Sequence, residues 1–165
     1  LKAVAALGIE DCWIGAGLVR DAVWDHLHQF PAQPPGGDVD VVWFDSRKTD
    51  EAVDYRMEQH LRMLCPHIDW SVKNQARMHV RNHDQAYENV EDALRYWPET
   101  ATAVAVRLRG TDRIEIIAPF GLDDLFALRL RPTPRFQQEK RAIFDERIRR
   151  KGWLARYPQL MLSVD

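Results

Sequence analysis

Two aspartates with one residue between them, Asp38 and Asp40, open the apolar run Val39-Asp40-Val41-Val42-Trp43-Phe44. Upstream, the turn Gly15-Ala16-Gly17 leads into Leu18-Val19-Arg20-Asp21. The β-branched and aromatic residues around the aspartates favour a strand, where side chains alternate between faces. Asp38 and Asp40 then share one face with Cα atoms about 7 Å apart, near enough to reach shared divalent cations. Val39, Val41 and Trp43 take the opposite face and enter the core. A glycine turn before a helix supplies backbone N–H groups for an anion and lets phosphate oxygens approach closely. Together these are parts that metal-dependent phosphoryl transfer requires.

Positioning such parts takes an ordered set of elements. Residues 1–7 read as the end of an amphipathic helix stopped by Gly8, and residues 12–15 as a short strand into the glycine turn. Residues 18–27 carry Leu18, Val19, Ala22, Val23 and Leu27 at helical spacing. The proline- and glycine-rich stretch 30–37 is a loop, which delivers the chain into a strand over 38–44. Residues 50–64 form a helix capped by Asp50, with Val53, Met57, Leu61 and Leu64 as its apolar stripe. Pro66 ends it and 68–73 is a second strand. Shorter helices are expected over 76–80 and 90–96, a hairpin over 102–109 and 113–118 around Gly110-Thr-Asp, a helix start at 121–128, and a final helix over 134–151 that turns Phe136, Ile143, Phe144 and Ile148 inward. Strands alternating with helices before a hairpin imply an α/β (α+β) fold, a mixed sheet flanked by helices.

A chain of 165 residues with 45% hydrophobic and 29% charged residues suits a single domain over 1–165. Its formal net charge of −2 argues against a general basic field for non-specific nucleic-acid binding. Positive charge is concentrated over residues 129–156, where it offers a local surface for an anionic partner, nucleic acid included. Cys12 and Cys65 have neither metal-ligand nor disulfide-framework spacing, which points to a reducing cytoplasm. No apolar run reaches membrane-spanning length. The chain starts without Met, so the first helix is expected to be truncated.

Ile14-Gly-Ala-Gly17-Leu-Val-Arg20-Asp21 together with Asp38-Val-Asp40 resembles the nucleotidyltransferase superfamily that shares the DNA polymerase β-like fold, the Gly-x-Val-Arg-Asp stretch being most like CCA-adding enzymes. Trp70-Ser-Val-Lys-Asn-Gln-Ala-Arg-Met-His79, Trp97-Pro-Glu-Thr-Ala-Thr102 and Ala118-Pro-Phe-Gly-Leu-Asp-Asp-Leu125 resemble small bacterial nucleotidyltransferase-like proteins. The resemblance implies transfer of NMP from an NTP to an acceptor that is RNA, protein or a small molecule, with release of pyrophosphate. It implies Mg²⁺ (or Mn²⁺) at Asp38 and Asp40, a third acid on a neighbouring strand, and the turn at Gly15, Ala16 and Gly17 against the triphosphate. Ala16 departs from the family's glycine, and the loop before Asp38 is longer than its commonest spacing. Asp69 is the favoured third acid, with Ser71 in that place or Glu115 as the alternatives. A nucleotide-binding or regulatory module without turnover is the alternative function.

Other residues carry competing readings. Arg20 either meets the nucleotide or forms an ion pair with Asp21 at the helix start. Lys73, Asn74, Gln75 and Arg77 carry donors suited to phosphate and base edges, or else satisfy backbone groups at a strand-to-helix turn. The six histidines lack zinc-ligand spacing. The tryptophans are expected in the core.

Overall fold

The structure is a computed structural model that describes residues 1–163; the last two residues of the expected 1–165 unit lie outside the described residues. Its centre is a five-stranded mixed sheet in the order β3-β2-β1-β4-β5. These are β1 (Cys12–Gly15), β2 (Val39–Trp43), β3 (Trp70–Asn74), β4 (Ala105–Arg109) and β5 (Arg113–Ile117). β1 runs antiparallel to both β2 and β4, β2 and β3 are parallel, and β4 and β5 form the expected hairpin.

Helices α1 (Lys2–Ala5) and α3 (Glu51–Leu64) cover one face. Cys12, Ile14, Val39, Val41, Trp43, Trp70 and Val72 pack there with Val4, Met57 and Leu61. This is the strand alternation read from the sequence. Asp50 caps α3 by accepting from Ala52 N–H at 2.9 Å. Leu64, placed on the apolar stripe, is instead exposed at the helix end. The buried Asp54 fastens this layer, accepting from Trp43 Nε1 at 2.7 Å and from Asn74 N–H at 3.1 Å and pairing with Arg77 on α4 (Gln75–Asn82).

The opposite face carries Trp13, Val42 and Ala105 against Val90 and Leu94 of α5 (Val90–Leu94). Beside it, α2 (Ala16–Leu27) inserts Trp24 into a third cluster with Leu125, Leu130, Phe136, Phe144, Ile148, Trp153 and Tyr157. These come from α6 (Asp123–Phe126), β6 (Arg129–Leu130), α7 (Pro134–Gln137), α8 (Arg141–Lys151) and α9 (Trp153–Arg156) with its following residue; β6 pairs with β7 (Met161–Leu162). The helix expected over 134–151 is thus two helices, broken at Gln138 with ψ −83°, and Ile143 faces outward at 54% exposure. The expected strand over 102–109 begins only at Ala105, because Thr100–Thr102 forms a 3₁₀ turn.

Candidate active site

The glycine turn, the paired acids and the end of β3 meet at one cleft of about 730 Å³. Its floor is the sheet face opposite α3. Asp40, Val42 and Lys73 project there, Asp40 lying opposite Ser71 and Val42 opposite Lys73 in the β2–β3 register. Asp38 precedes β2 and lines the same cleft. Gly15 caps α2 without a side-chain hydrogen bond, so the first-turn N–H groups have no side-chain acceptor from the cap. Ala16 and Gly17 line the cleft directly.

Two glycines serve different purposes. A Cβ on Gly15 would stand 2.9 Å from the Trp97 ring, so close packing of that indole over the turn excludes a side chain. A Cβ on Gly17 would meet only the Asp38 carbonyl, at 3.8 Å, and would project into space beside the acids.

Burial, then the neighbouring charge of Asp38, raises the Asp40 carboxyl above its ordinary value, against the lowering effects of Lys151, the Ser71 hydroxyl and Arg147. A cation shared by Asp38 and Asp40 would relieve both of the raising effects. Two carboxylates with room for substrate oxygens suit Mg²⁺, which binds through one or two carboxylates and keeps its other positions for water and phosphate. The donor set therefore fits a divalent ion.

Arg20 is 8% exposed, donates from Nε to Asp21 at 2.8 Å, and lies 4.6 Å from the Trp153 ring centroid. It lines the cleft while forming the ion pair that the sequence offered as its other reading. Gln75 also lines the cleft and donates to the Lys73 carbonyl at 3.1 Å.

Gly15, Asp69 and Asn74 do not line the cleft. Asp69 lies one residue before the β2–β3 pairing, which starts at Trp70. The Asp69 carboxylate is 74% exposed and has Arg62 of α3 3.9 Å away. Asn74 faces the α3 side. It caps α4 through Ala76 N–H at 3.0 Å and donates to the Asp45 and Lys48 carbonyls at 2.9 and 2.8 Å. Glu115 sits on the far edge strand, bound to Arg107 at 2.7 Å and Arg109 at 3.1 Å. Ser71 is the β3 residue beside Asp40, and among the described residues no cluster of three acidic, histidine or cysteine side chains could hold a metal. Burial pushes the Cys12 thiol up to about 12, which keeps it an inert core group.

The cleft also gathers residues the site reading from sequence did not include: Met78, Trp97, Arg147, Lys151 and Arg156. The basic segment signalled the last three, but only tertiary packing of α8 and α9 against α2 brings them beside Asp21 and Asp40. Arg156 reaches Asp21 at 3.5 Å and Asp25 at 3.3 Å, and the Tyr157 hydroxyl donates to Asp25 at 2.9 Å.

Among solved structures, one whose NMR analysis is described as revealing a CCA-adding enzyme head domain superposes with a TM-score of 0.87 at 30% identity, covering 100% of this chain and 87% of that one. Two apo forms of a tRNA-processing enzyme superpose with TM-scores of 0.61 and 0.60 at 17% and 18% identity, each over 98% of this chain. This chain spans only 44% and 41% of those enzymes' length, and the likeness to them is one of fold. No curated protein is significantly similar in sequence. The fold and the glycine-turn site define a polymerase β-like nucleotidyltransferase. The chain belongs to a nucleotidyltransferase family, whose model matches residues 2–162. Among the described residues no helix is long and apolar enough to cross a membrane.

Proposed function

We propose that this protein transfers a nucleoside monophosphate from an NTP to a hydroxyl or phosphate acceptor. The acceptor oxygen bonds to the α-phosphorus, the bond between that phosphorus and the α,β-bridging oxygen breaks, and pyrophosphate leaves. The carrying observation is the convergence of Asp38, Asp40, the α2 N-terminus and Lys73 in one cleft.

Each part has work that follows from its chemistry. Asp38 and Asp40 would hold Mg²⁺ or Mn²⁺, which lowers the pKa of a bound acceptor hydroxyl and neutralises charge on the leaving pyrophosphate. The N–H groups at Ala16 and Gly17 orient phosphate oxygens, and Gly17 leaves them room. Lys73, which has no carboxylate partner among the described residues, adds a point charge for phosphate. Gln75 presents a side-chain amide to the same cleft. Positioning and charge neutralisation are the main catalytic demands of phosphoryl transfer.

Ser71 beside Asp40, in place of a third carboxylate, favours a second reading: a module of the same fold that binds nucleotide without turnover. One experiment separates the two. The protein is incubated with Mg²⁺, each α-phosphate-labelled NTP and RNA, protein or small-molecule acceptors, alongside Asp38→Asn. Label transfer lost in the variant supports the enzyme. NTP binding by calorimetry with no pyrophosphate release from any acceptor supports the binding module, and equal transfer by Asp38→Asn overturns the site.

A further inference from the structure

Helix α8 turns Arg147 and Lys151 toward the cleft, one helical turn apart and on the same face. Lys151 has no carboxylate within salt-bridge distance among the described residues. Arg147 is held from behind. Its Nε donates to Glu99 Oε1 at 2.7 Å, and its guanidinium lies 5.4 Å from the Trp153 ring centroid.

Glu99 is wholly buried, with 0% exposure, and its other oxygen accepts from Thr102 Oγ1 at 2.6 Å. The backbone around it is tied down by a bridge to Pro132 and by Thr100 N–H donating to the Arg131 carbonyl at 3.0 Å. A buried carboxylate needs a cation, and it takes Arg147 by the single Nε–H. Neither Nη of Arg147 donates to a protein acceptor among the described residues. A guanidinium anchored at Nε keeps a planar pair of donors for an anion, a geometry that matches two phosphate oxygens.

We infer that Arg147 and Lys151 form a phosphate subsite on α8, lining the same cleft as the α2 N-terminus, and that Glu99 is the positioning residue that aims Arg147 into it. The ligand is the triphosphate of the nucleotide, so this assignment rests on the proposed function. Glu99 touches no substrate and acts only through the guanidinium.

The test is calorimetric titration of inorganic tripolyphosphate with Mg²⁺ into the wild-type protein, Arg147→Met, Glu99→Gln and the double variant, with thermal melting of each. Loss of a charged fork should weaken binding about 10- to 100-fold in Arg147→Met. Glu99→Gln should weaken it severalfold alone and by less than about twofold in the Arg147→Met background, the non-additivity expected of coupled residues. Because Glu99 is buried, Thr102→Val gives a milder route: it keeps the charge, frees one carboxylate oxygen, and should show the same dependence on Arg147. Losses from Glu99→Gln and Thr102→Val that are equal with and without Arg147 would overturn the positioning role alone. A wild-type protein that binds neither tripolyphosphate nor any NTP would overturn this assignment and the nucleotide reading together.

Discussion

At the residue scale, Asp40 holds its carboxyl in a place that penalises a negative charge. Burial first, and Asp38 second, lift its carboxyl above the ordinary value. Between the unfolded and folded values the folded protein binds more protons than the unfolded one, so stability falls as pH rises through that window and stays lower above it. Asp40→Asn removes this penalty. The variant should melt higher at pH 7, by about 0.5–2 kcal/mol of added stability, while transfer drops on the order of 10²-fold or more. A melting temperature unchanged or lowered would count against the electrostatic account. Asp38→Asn, by removing the neighbouring charge, should move the Asp40 carboxyl down toward its ordinary value, measurable by carbon NMR titration of the side chain. The pair was legible in the sequence because two acids one residue apart at a strand start stay close together whichever of them opens the strand. The fate of Asp69 was not, since it too stands one residue before its strand and a contact outside that strand, with Arg62 of α3, goes with its exposed position.

At the element scale, α2 combines a structural start with a chemical one. Gly17 occupies its first turn, where Ala is the better helix former by up to about 1 kcal/mol. An added Cβ meets nothing closer than 3.8 Å. Gly17→Ala should therefore keep or raise the melting temperature and yet weaken NTP binding by displacing phosphate oxygens; unaltered affinity would show that phosphate does not approach this turn. Helix α3 and strand β3 could be read from apolar periodicity, because each buries one face, whereas β1 and β2 are buried on both faces and were legible from their apolar, β-branched and aromatic content. The C-terminal third was harder. Its cluster is assembled from short pieces around Trp24, and a four-residue helix such as α9 has too few turns for a periodic signal. The break at Gln138 likewise serves Phe136 and Phe144, which both reach that cluster. For the same reason the α8 side of the cleft was visible in the sequence only as positive charge.

At the scale of the whole molecule, the distribution of charge decides what kind of acceptor can be held without nucleotide. The basic segment from Arg129 to Arg156 looks like a nucleic-acid surface in one dimension. Folded, most of it is answered: Arg129 and Arg131 lie by Asp124, Arg135 and Lys140 by Asp84, Arg141 by Asp145, Arg147 by Glu99, and Arg156 by Asp21 and Asp25. Arg149, Arg150 and Lys151 have no carboxylate within salt-bridge distance among the described residues, on a protein whose formal net charge is −2. Lys151 already faces the cleft. Single-stranded RNA should consequently bind the protein alone more weakly than about 10⁻⁴ M at physiological salt, the weak end of non-specific association. Because each neutralised phosphate adds about 0.7 to the salt slope for a single strand, the three unanswered cations of this segment contribute no more than about 2 to the slope. Fluorescence anisotropy of a labelled oligonucleotide across a salt series measures both quantities. Micromolar binding with a steep slope would show that paired arginines exchange their carboxylates for phosphates. A shallow slope, with RNA affinity appearing only when NTP and Mg²⁺ are added, would place recognition of such an acceptor at the loaded cleft, where Asp38 and Asp40 no longer repel it.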